Sequence, residues 1–210
     1  MLGFLTTDAA VPPQLLQRAL REVVDDTFNA ITVDGECSTN DCVMLLASGA
    51  SGVSIDESSY PMFVEALRAV SLELALGIVR GGEGATKLVT VKVTGAASPA
   101  EARRAAKAIA NSPLVKTAIH GGDPNWGRLI AVAGRAGVGF ELSRAAVTIG
   151  SVVLFKNGRP YDEAAPEAAE YLKASEITVG VDLGAGTAAS TVWTCDLSAE
   201  YVRINGEYRT

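Results

Sequence analysis

The sequence predicts an α/β fold built from layered, mixed β-sheets that are flanked by helices. Helix-like and strand-like segments interleave along the chain, a pattern typical of α/β proteins. The C-terminal part is rich in strand-like segments, and the pair Asn157-Gly158 has the composition of a hairpin turn, so antiparallel pairing is expected as well. A chain of 210 residues, of which 48% are hydrophobic and 20% charged, can bury a substantial core.

Strands are predicted from short apolar or alternating runs that are bounded by turn residues. They lie at residues 1–9, 42–47, 86–94, 147–155, 177–183, 187–195 and 201–204. The run at 42–47 is apolar throughout, which is typical of a strand buried on both faces. Residues 27–33 fit either a strand or a continuation of the preceding helix.

Helices are predicted where apolar residues recur at helical spacing behind a proline or a capping residue. They lie at residues 12–24, 58–79, from 98 onward, 112–119, 125–134 and 164–173. Ser58 or Ser59 is the expected cap of the longest helix. Ser98 and Glu101 have the spacing of a capping box at the start of an alanine-rich helix.

Composition argues against several classes of function. The formal net charge of −6, without a cluster of Lys or Arg, argues against nucleic-acid binding. No apolar run approaches the roughly 20 residues that span a bilayer, so no membrane interaction is expected. The single histidine, His120, nearly excludes a histidine-based zinc site, and no metal site is predicted.

The remaining global features concern compartment and domains. Cys37, Cys42 and Cys195 are interpreted as reduced thiols of a cytoplasmic protein. No linker long enough to divide domains is found, so residues 1–210 are expected to carry no internal boundary.

A glycine-rich segment at 81–87 contains one carboxylate, Glu83. A phosphate-binding loop follows a strand and opens a helix, whereas this segment follows a predicted helix and precedes a strand. A glycine-rich helix stop explains the glycines. The alternative is functional: because residues without side chains flank Glu83, a ligand could approach its carboxylate closely, and the carboxylate could hold a substrate ammonium.

Two further segments admit both a functional and a structural interpretation. Segment 181–187 resembles the phosphate-binding hairpin of actin-like ATPases and sugar kinases, although a tight glycine turn is the usual meaning of such a sequence. In segment 123–128, Asp123 is expected to cap a helix and Pro124 to be its first residue. This segment is either a structural cap with Trp126 packed beneath it or a helix N-terminus close to an active site.

Several motifs together resemble one family of enzymes. They are Met1-Leu2-Gly3-Phe4-Leu5-Thr6-Thr7-Asp8-Ala9, Ser38-Thr39-Asn40-Asp41, Gly82-Glu83-Gly84-Ala85-Thr86-Lys87, Asp123-Pro124-Asn125-Trp126-Gly127-Arg128 and Val202-Arg203-Ile204-Asn205. In this order they are similar to the ornithine acetyltransferase family, the bifunctional glutamate N-acetyltransferases of arginine biosynthesis. The resemblance runs from Met1 to Thr210, and the motifs at 83–87 and 123–128 are highly specific together.

The resemblance implies that the chain is the β-chain of a precursor that cleaves itself between an alanine and a threonine. The threonine, expected directly before Met1, is the implied nucleophile and its own α-amine the base, so no catalytic residue is expected within the 210 residues. The partner is then an α-chain from the same precursor, in an α2β2 assembly. The implied fold is the α-β-β-α arrangement of N-terminal nucleophile enzymes.

The implied chemistry is a ping-pong acetyl transfer in which the threonine takes acetyl from N2-acetylornithine and glutamate accepts it. By match to the family, the substrate contacts are Glu83, Asn205 and Thr210. No cofactor is implied, and acetyl-CoA as a co-substrate is left open. One alternative is a related self-cleaving aminopeptidase or amidohydrolase, which passes the acyl group to water. The other is an actin-like nucleotide-binding fragment built on segment 181–187.

Overall fold

The computed structural model describes residues 1–207 and divides the chain into two compact units. Unit 1 consists of Met1–Ile31 and Glu36–Ile78, and unit 2 consists of Thr32–Gly35 and the chain from Val79 onward. The boundary between Ile78 and Val79 falls within the last turn of a helix and not in a linker, so composition carries no signal of it.

Unit 1 contains a two-stranded parallel sheet and two helices. Its elements are β1 (Leu2–Thr7), α1 (Pro13–Asp26), a 3-10 turn (Phe28–Ala30), β2 (Cys42–Ala47) and α2 (Tyr60–Arg80). The ambiguous segment 27–33 therefore contains a short 3-10 turn and no strand. Strands β1 and β2 pair in register from Leu2 opposite Cys42 to Thr7 opposite Ala47.

The sheet of unit 1 is packed on one face only. Leu5 is 4% exposed and lies in a core with Ala19 and Val23 of α1 and Val64 and Leu67 of α2. Exposed apolar side chains of the two strands are Leu2, Phe4, Met44 and Leu46. The prediction that the second strand is buried on both faces is wrong for this chain, because alternate side chains point to opposite faces and one face has no covering element within unit 1.

Helix α2 begins immediately after Ser59, and Asp56 makes the hydrogen bonds that hold its entry turn. The Oδ1 atom of Asp56 accepts hydrogen bonds from the backbone N–H groups of Ser58 and Ser59, both at 3.0 Å. The Ser59 hydroxyl accepts in return from the Asp56 N–H at 3.0 Å. The Ser58 hydroxyl also donates to Asp56 Oδ1, at 2.7 Å. This bond has the largest effect among those that Ser58 and Ser59 donate to the carboxylate, and together they lower the pKa of Asp56 to about 2.

Unit 2 contains a six-stranded sheet and the remaining helices. Its elements are β3 (Leu88–Ala96), α3 (Pro99–Ala110), α4 (Pro113–His120), α5 (Trp126–Arg135), β4 (Ala146–Ile149), β5 (Val152–Lys156), β6 (Arg159–Pro160), a 3-10 turn (Asp162–Ala164), α6 (Ala165–Tyr171), β7 (Glu176–Asp182), β8 (Ala188–Cys195) and α7 (Ala199–Glu207). The strand order is β6-β5-β4-β7-β3-β8.

The sheet of unit 2 is mixed. β3 pairs in parallel with β7, and all other neighbouring strands pair antiparallel. Its core joins strand residues such as Val91 and Val179 to helix residues such as Ile109 and Leu129. The predicted fold class, mixed sheets flanked by helices, is confirmed.

Turn residues define the antiparallel end of this sheet. Asn157 and Gly158 join β5 to β6 with φ angles of 53° and 71°, as the Asn-Gly pair predicted. The segment predicted as one strand at 147–155 is instead the two paired strands β4 and β5. Gly150, with a φ of 59°, ends the first of them because few other residues adopt that conformation readily.

The glycine turn after β7 does not form the hairpin that the nucleotide-binding alternative requires. In the sheet that the structure describes, β7 and β8 lie on opposite sides of β3 and do not pair with each other. The turn crosses the end of β3, where the N–H groups of Leu183 and Gly186 donate to the carbonyls of Thr94 and Gly95 at 2.9 and 2.8 Å. A phosphate-binding hairpin requires two adjacent strands, so the nucleotide-binding alternative loses its structural basis.

The last predicted strand is wrong, because its residues lie in helix α7. Half-buried Tyr201 and Ile204 are three positions apart and therefore lie on one helical face. Arg203 pairs with Glu200 at i−3 and with Glu207 at i+4, the latter at 2.9 Å. The spacing of the apolar residues and the spacing of the charged residues both fit a helix. A short apolar run alone does not distinguish a helix from a strand.

Candidate functional site

The loop between α2 and β3 presents Glu83 at the surface. The Gly82 N–H donates to the Val79 carbonyl at 3.1 Å, and the Ala85 N–H donates to the Gly82 carbonyl at 3.0 Å. These two bonds form a tight turn directly after α2, and the Glu83 side chain is exposed. The glycines therefore end helix α2, and this structural role is compatible with an exposed Glu83 carboxylate.

Gly84 is required by the close approach of this loop to α7. Its φ is +66°, and an added Cβ atom would lie 2.5 Å from the backbone nitrogen of Tyr201 and 2.8 Å from the Ser198 hydroxyl. Real Cβ atoms do not approach backbone atoms so closely, and the left-handed conformation itself favours glycine. At this position the missing side chain makes room for α7, not for a ligand.

Glu83 and Asn205 meet at the surface of unit 2. The Nδ2 atom of Asn205 donates to Glu83 Oε2 at 2.7 Å and to the Tyr201 carbonyl at 3.1 Å. The structure thus brings together two of the three predicted substrate contacts, which are 122 residues apart in the chain. The third, Thr210, lies outside the described residues.

The buried side chain of Asp196 anchors the loop that carries Glu83. The Asp196 side chain is 0% exposed and accepts hydrogen bonds from Thr86 N–H at 2.8 Å, the Thr86 hydroxyl at 2.5 Å, Lys87 N–H at 2.9 Å and His120 Nδ1 at 2.6 Å. Burial alone raises the pKa of Asp196, but the bonds from Thr86, His120 and Lys87 outweigh burial and lower the pKa below its usual value. Asp196 is therefore ionised at neutral pH and acts as an acceptor only.

Two more side chains, those of Ser198 and Lys87, fix the loop and the start of α7. The Ser198 hydroxyl donates to the Gly84 carbonyl at 2.6 Å, one residue before α7 begins. The ammonium of Lys87 donates to the carbonyls of Ile119 and Leu172 at 3.0 and 2.5 Å, near the ends of α4 and α6. The loop is thus held at several points after Glu83, at Gly84, Thr86 and Lys87.

A buried lysine lies on the same side of α4 as this network. Lys116 is 3% exposed, and its Nζ donates to the carbonyls of Val33 and Cys195 at 2.7 and 2.5 Å and to the Thr194 hydroxyl at 2.9 Å. Desolvation by burial lowers the pKa of Lys116, and burial raises the pKa of the adjacent Cys195 thiol. Because protein acceptors use the Lys116 donors, its role is structural.

Segment 123–128 begins α5 differently from the prediction. Asn125, not Asp123, caps the helix: its Oδ1 accepts from the Arg128 N–H at 3.1 Å, and the helix starts at Trp126. Asp123 instead accepts a hydrogen bond from the Asn125 side chain at 3.1 Å. Pro124 lies before the cap, because Asn125 has the non-helical ψ of 82°.

The other side chains of this segment make contacts typical of a structural role. The Trp126 ring stacks on Phe155 with 4.7 Å between the ring centroids. The guanidinium of Arg128 donates to the Leu114 carbonyl at 2.7 Å, in the first turn of α4. These contacts support the structural interpretation and position α4, the helix that ends in His120.

The residues around Asp196 do not form a catalytic triad. The carboxylate lies between the Thr86 hydroxyl and the His120 imidazole, whereas a triad places the imidazole between hydroxyl and carboxylate. Residues 1–207 contain no cluster of three or more His, Cys, Asp or Glu side chains that could hold a metal ion. Within the same residues, no helix is long and apolar enough to cross a membrane.

Sequence reasoning did not single out Asp196 or Ser198. The available signal was one polar residue, Asp196, directly after the end of β8 at Cys195, followed by Ser198 two positions later. That signal does not identify the loop to which the two side chains bind. What the arrangement offers chemically is a surface carboxylate beside an amide, both of which can accept hydrogen bonds from a substrate ammonium.

Comparison with known proteins gives one consistent result. The chain matches the ArgJ family over residues 1–210. It is 48% identical over 215 residues to the arginine biosynthesis bifunctional protein ArgJ of Symbiobacterium thermophilum, covering 100% of this chain and 53% of that protein. It is 50% identical over 215 residues to the glutamate N-acetyltransferase of Methanopyrus kandleri, covering 100% of this chain and 55% of that protein.

Among solved structures, the chain is similar to the crystal structure of the arginine biosynthesis bifunctional protein ArgJ from Bacillus halodurans. The TM-score is 0.94 at 43% sequence identity, covering 99% of this chain and 100% of that chain. The chain spans about half the length of the curated relatives it matches.

Proposed function

The chain belongs to the ArgJ family along its whole length, and from this premise we propose that it forms part of a glutamate N-acetyltransferase of arginine biosynthesis. The proposed reaction moves the acetyl group of N2-acetylornithine to glutamate and yields ornithine and N-acetylglutamate. A 50% identical relative that is named glutamate N-acetyltransferase supports this choice.

The observation that carries the proposal is the contact between Glu83 and Asn205. The resemblance to the family names both as substrate contacts, and their side chains lie 2.7 Å apart at one surface of unit 2. N2-acetylornithine carries a side-chain ammonium, and glutamate enters with an α-ammonium. A carboxylate with a neighbouring amide oxygen provides acceptors for such a group, and charge-assisted bonds of this kind are the strong ones. We therefore assign Glu83 and Asn205 to substrate binding.

We place the nucleophile in a threonine directly before Met1, as the resemblance implies. Its α-amine takes the hydroxyl proton while the hydroxyl oxygen attacks the acetyl carbonyl carbon. The C–N bond of the donor breaks, ornithine leaves with the proton, and an acetyl-threonine ester remains. The α-ammonium of glutamate loses one proton to water, and the resulting amine attacks the ester carbonyl carbon. The ester C–O bond breaks and N-acetylglutamate forms, while a second proton of the amine passes through the threonine α-amine to the departing oxygen and restores the hydroxyl. This sequence needs no cofactor; acetyl-CoA as an additional acetyl donor and a cytoplasmic location stay predictions.

A second chain from the same precursor is the proposed partner, in an α2β2 assembly. Two parallel strands alone form a marginal sheet, and β1 and β2 have no further strand beside them within the described residues. One face of this sheet exposes 66% of Leu2 and 59% of Phe4. Beside it lies a groove of about 340 Å³ lined mainly by apolar residues, including Phe63, Val70 and Leu74. Strands and apolar side chains of an α-chain fit these features.

The activity is tested with protein expressed from the full-length gene. Purified enzyme is incubated with N2-acetylornithine and glutamate, and both products are measured by mass spectrometry. Glu83→Gln keeps the shape of the side chain and removes its charge, so KM should rise about tenfold or more. Glu57→Gln, which removes an exposed carboxylate paired with Arg18, is the matched control and should change little. Equal kinetics for the two variants contradict the site assignment.

The architecture is tested by intact mass and N-terminal sequencing of the same preparation. A chain that begins with threonine before Met1, together with a separate upstream chain, is the expected result. Acetate released without glutamate, at the rate of transfer, would favour the self-cleaving aminopeptidase or amidohydrolase alternative. Phe4→Asp introduces a charge on the exposed sheet face and should reduce copurification of the upstream chain.

A further inference from the structure

Asp196 links the loop that carries Glu83 to the helix that carries Asn205. On one side its carboxylate binds Thr86 and Lys87, in the loop that carries Glu83. On the other side it lies in the short segment between β8 and α7, the helix that carries Asn205.

We propose that Asp196, oriented by His120, is a positioning residue that sets the geometry of the Glu83–Asn205 substrate site, an inference that rests on the proposed function. Neither side chain is assigned any contact with substrate or with the acetyl group. Their proposed effect is on substrate binding, through the distance between the Glu83 carboxylate and the Asn205 amide.

The loop side of this connection is held by the backbone. Asp196 Oδ1 accepts from the N–H groups of both Thr86 and Lys87, at 2.8 and 2.9 Å, and Oδ2 accepts from the Thr86 hydroxyl at 2.5 Å. These residues lie three and four positions after Glu83, so the exit of the loop has little freedom. A buried carboxylate is a demanding acceptor, because leaving it unpaired would cost its full desolvation energy.

The helix side is held two residues further along the chain. Ser198 donates to the Gly84 carbonyl at 2.6 Å, and α7 starts at the next residue. The backbone nitrogen of Tyr201 lies so close to Gly84 that a Cβ atom there would be only 2.5 Å away. Asp196 binds the loop two residues before Ser198, and the loop contacts α7 directly at Tyr201, so a shift of the Asp196 carboxylate changes the spacing between Glu83 and Asn205.

His120 completes the coordination of Asp196. It is the last residue of α4, its side chain is 40% exposed, and its Nδ1 lies 2.6 Å from Asp196 Oδ2. Arg128 fixes the start of α4 through the Leu114 carbonyl, which gives His120 a defined position. His120 thus limits the rotation of the carboxylate from the solvent side, while the loop limits it from the protein side.

The test uses enzyme expressed from the full-length gene and normalised to the processed chain by intact mass. In Asp196→Asn, an N–H group replaces an acceptor oxygen, so KM for N2-acetylornithine and glutamate should rise about tenfold, with kcat within about twofold. His120→Leu removes the solvent-side donor and should raise KM about threefold. His120→Asn places an amide nitrogen near the position of Nδ1 and should restore KM to within about twofold of wild type.

Arg104→Met is the matched control. It removes two hydrogen bonds of the same unit, to the carbonyls of Ala136 and Gly137 at 3.0 and 2.9 Å, and these bonds involve no residue of the loop. A purely structural role for Asp196 predicts that all variants lose melting temperature and active fraction with KM unchanged. That result overturns the inference, as does a fall in kcat at constant KM.

The outcomes separate this inference from the proposed function. If the wild-type enzyme transfers acetyl but His120→Leu leaves KM unchanged, the positioning role is overturned and the proposed function remains intact. Wild-type enzyme that transfers no acetyl overturns both. If Asp196→Asn yields no processed enzyme, the His120 pair decides, because a side chain that is 40% exposed can be replaced without loss of the core.

Discussion

Gly84→Ala is the sharpest single test of how the loop and α7 fit together. The φ of +66° costs a non-glycine residue about 1–2 kcal/mol. The new methyl group would lie 2.5 Å from the Tyr201 nitrogen and 3.0 Å from the Glu200 carbonyl carbon, both of them backbone atoms that cannot rotate away. Overpacking of this kind costs about 1–3 kcal/mol, so the free energy of unfolding should fall by roughly 2–5 kcal/mol.

The same substitution should weaken substrate binding. Relief of the clash requires α7 to move by about 1 Å, which carries the 2.7 Å contact between Asn205 and Glu83 beyond hydrogen-bonding range. KM for the amino-acid substrates should therefore rise in proportion to the loss of this contact. Urea denaturation and steady-state kinetics of the complete enzyme measure the two effects.

Gly137→Ala is the control for backbone conformation alone. Gly137 has a φ of +70°, but no atom lies within 4 Å of its added Cβ, so only the cost of about 1–2 kcal/mol applies. If Gly84→Ala destabilises the protein no more than Gly137→Ala does, the loop and α7 do not pack against each other at Gly84.

Acid and thiol reagents give two further predictions. Because the folded-state pKa of Asp196 is lowered, its contribution to stability is complete above about pH 4 and is lost as the pH falls through the folded pKa. The free energy of unfolding should therefore fall less steeply with acid in Asp196→Asn than in wild type, and identical slopes contradict this. Cys37 is exposed, whereas Cys195 is 2% exposed and burial raises its thiol pKa. Cys37 should react with a thiol reagent in native buffer and Cys195 only after unfolding, and equal rates contradict the burial of Cys195.

The elements that sequence reasoning located well are those with a strong local pattern. Ser98 accepts from the Glu101 N–H at 3.3 Å at the start of α3, and Ser112 accepts from the Val115 N–H at 3.4 Å at the start of α4. A capping side chain and the N–H group that it binds are only a few residues apart, so the sequence predicts their interaction directly. The Asn157-Gly158 turn is local in the same sense.

The errors occur where local patterns are ambiguous. The strand predicted at 201–204 is part of a helix. A run of only four residues, apolar and polar, fits both the helical period and the strand period. The cap of α5 is Asn125 and not Asp123, because two polar residues beside Pro124 can each serve. Segment 181–187 forms the tight glycine turn that its residues indicate, but these residues do not reveal whether the turn joins paired strands or, as here, crosses β3.

The class of fold, most of the helices and strands, and the motifs that point to a family and to Glu83 and Asn205 can be predicted from the sequence alone. These features depend on periodicity, on turn chemistry and on the identity of residues in short runs. The contact between Glu83 and Asn205, and the bonds by which Asp196 anchors the loop beside them, are visible only in the folded chain. The bonds between Asp196 and Thr86 join residues 110 positions apart. No local pattern encodes such a contact, because it exists only once strand order has brought the ends of β3 and β8 together.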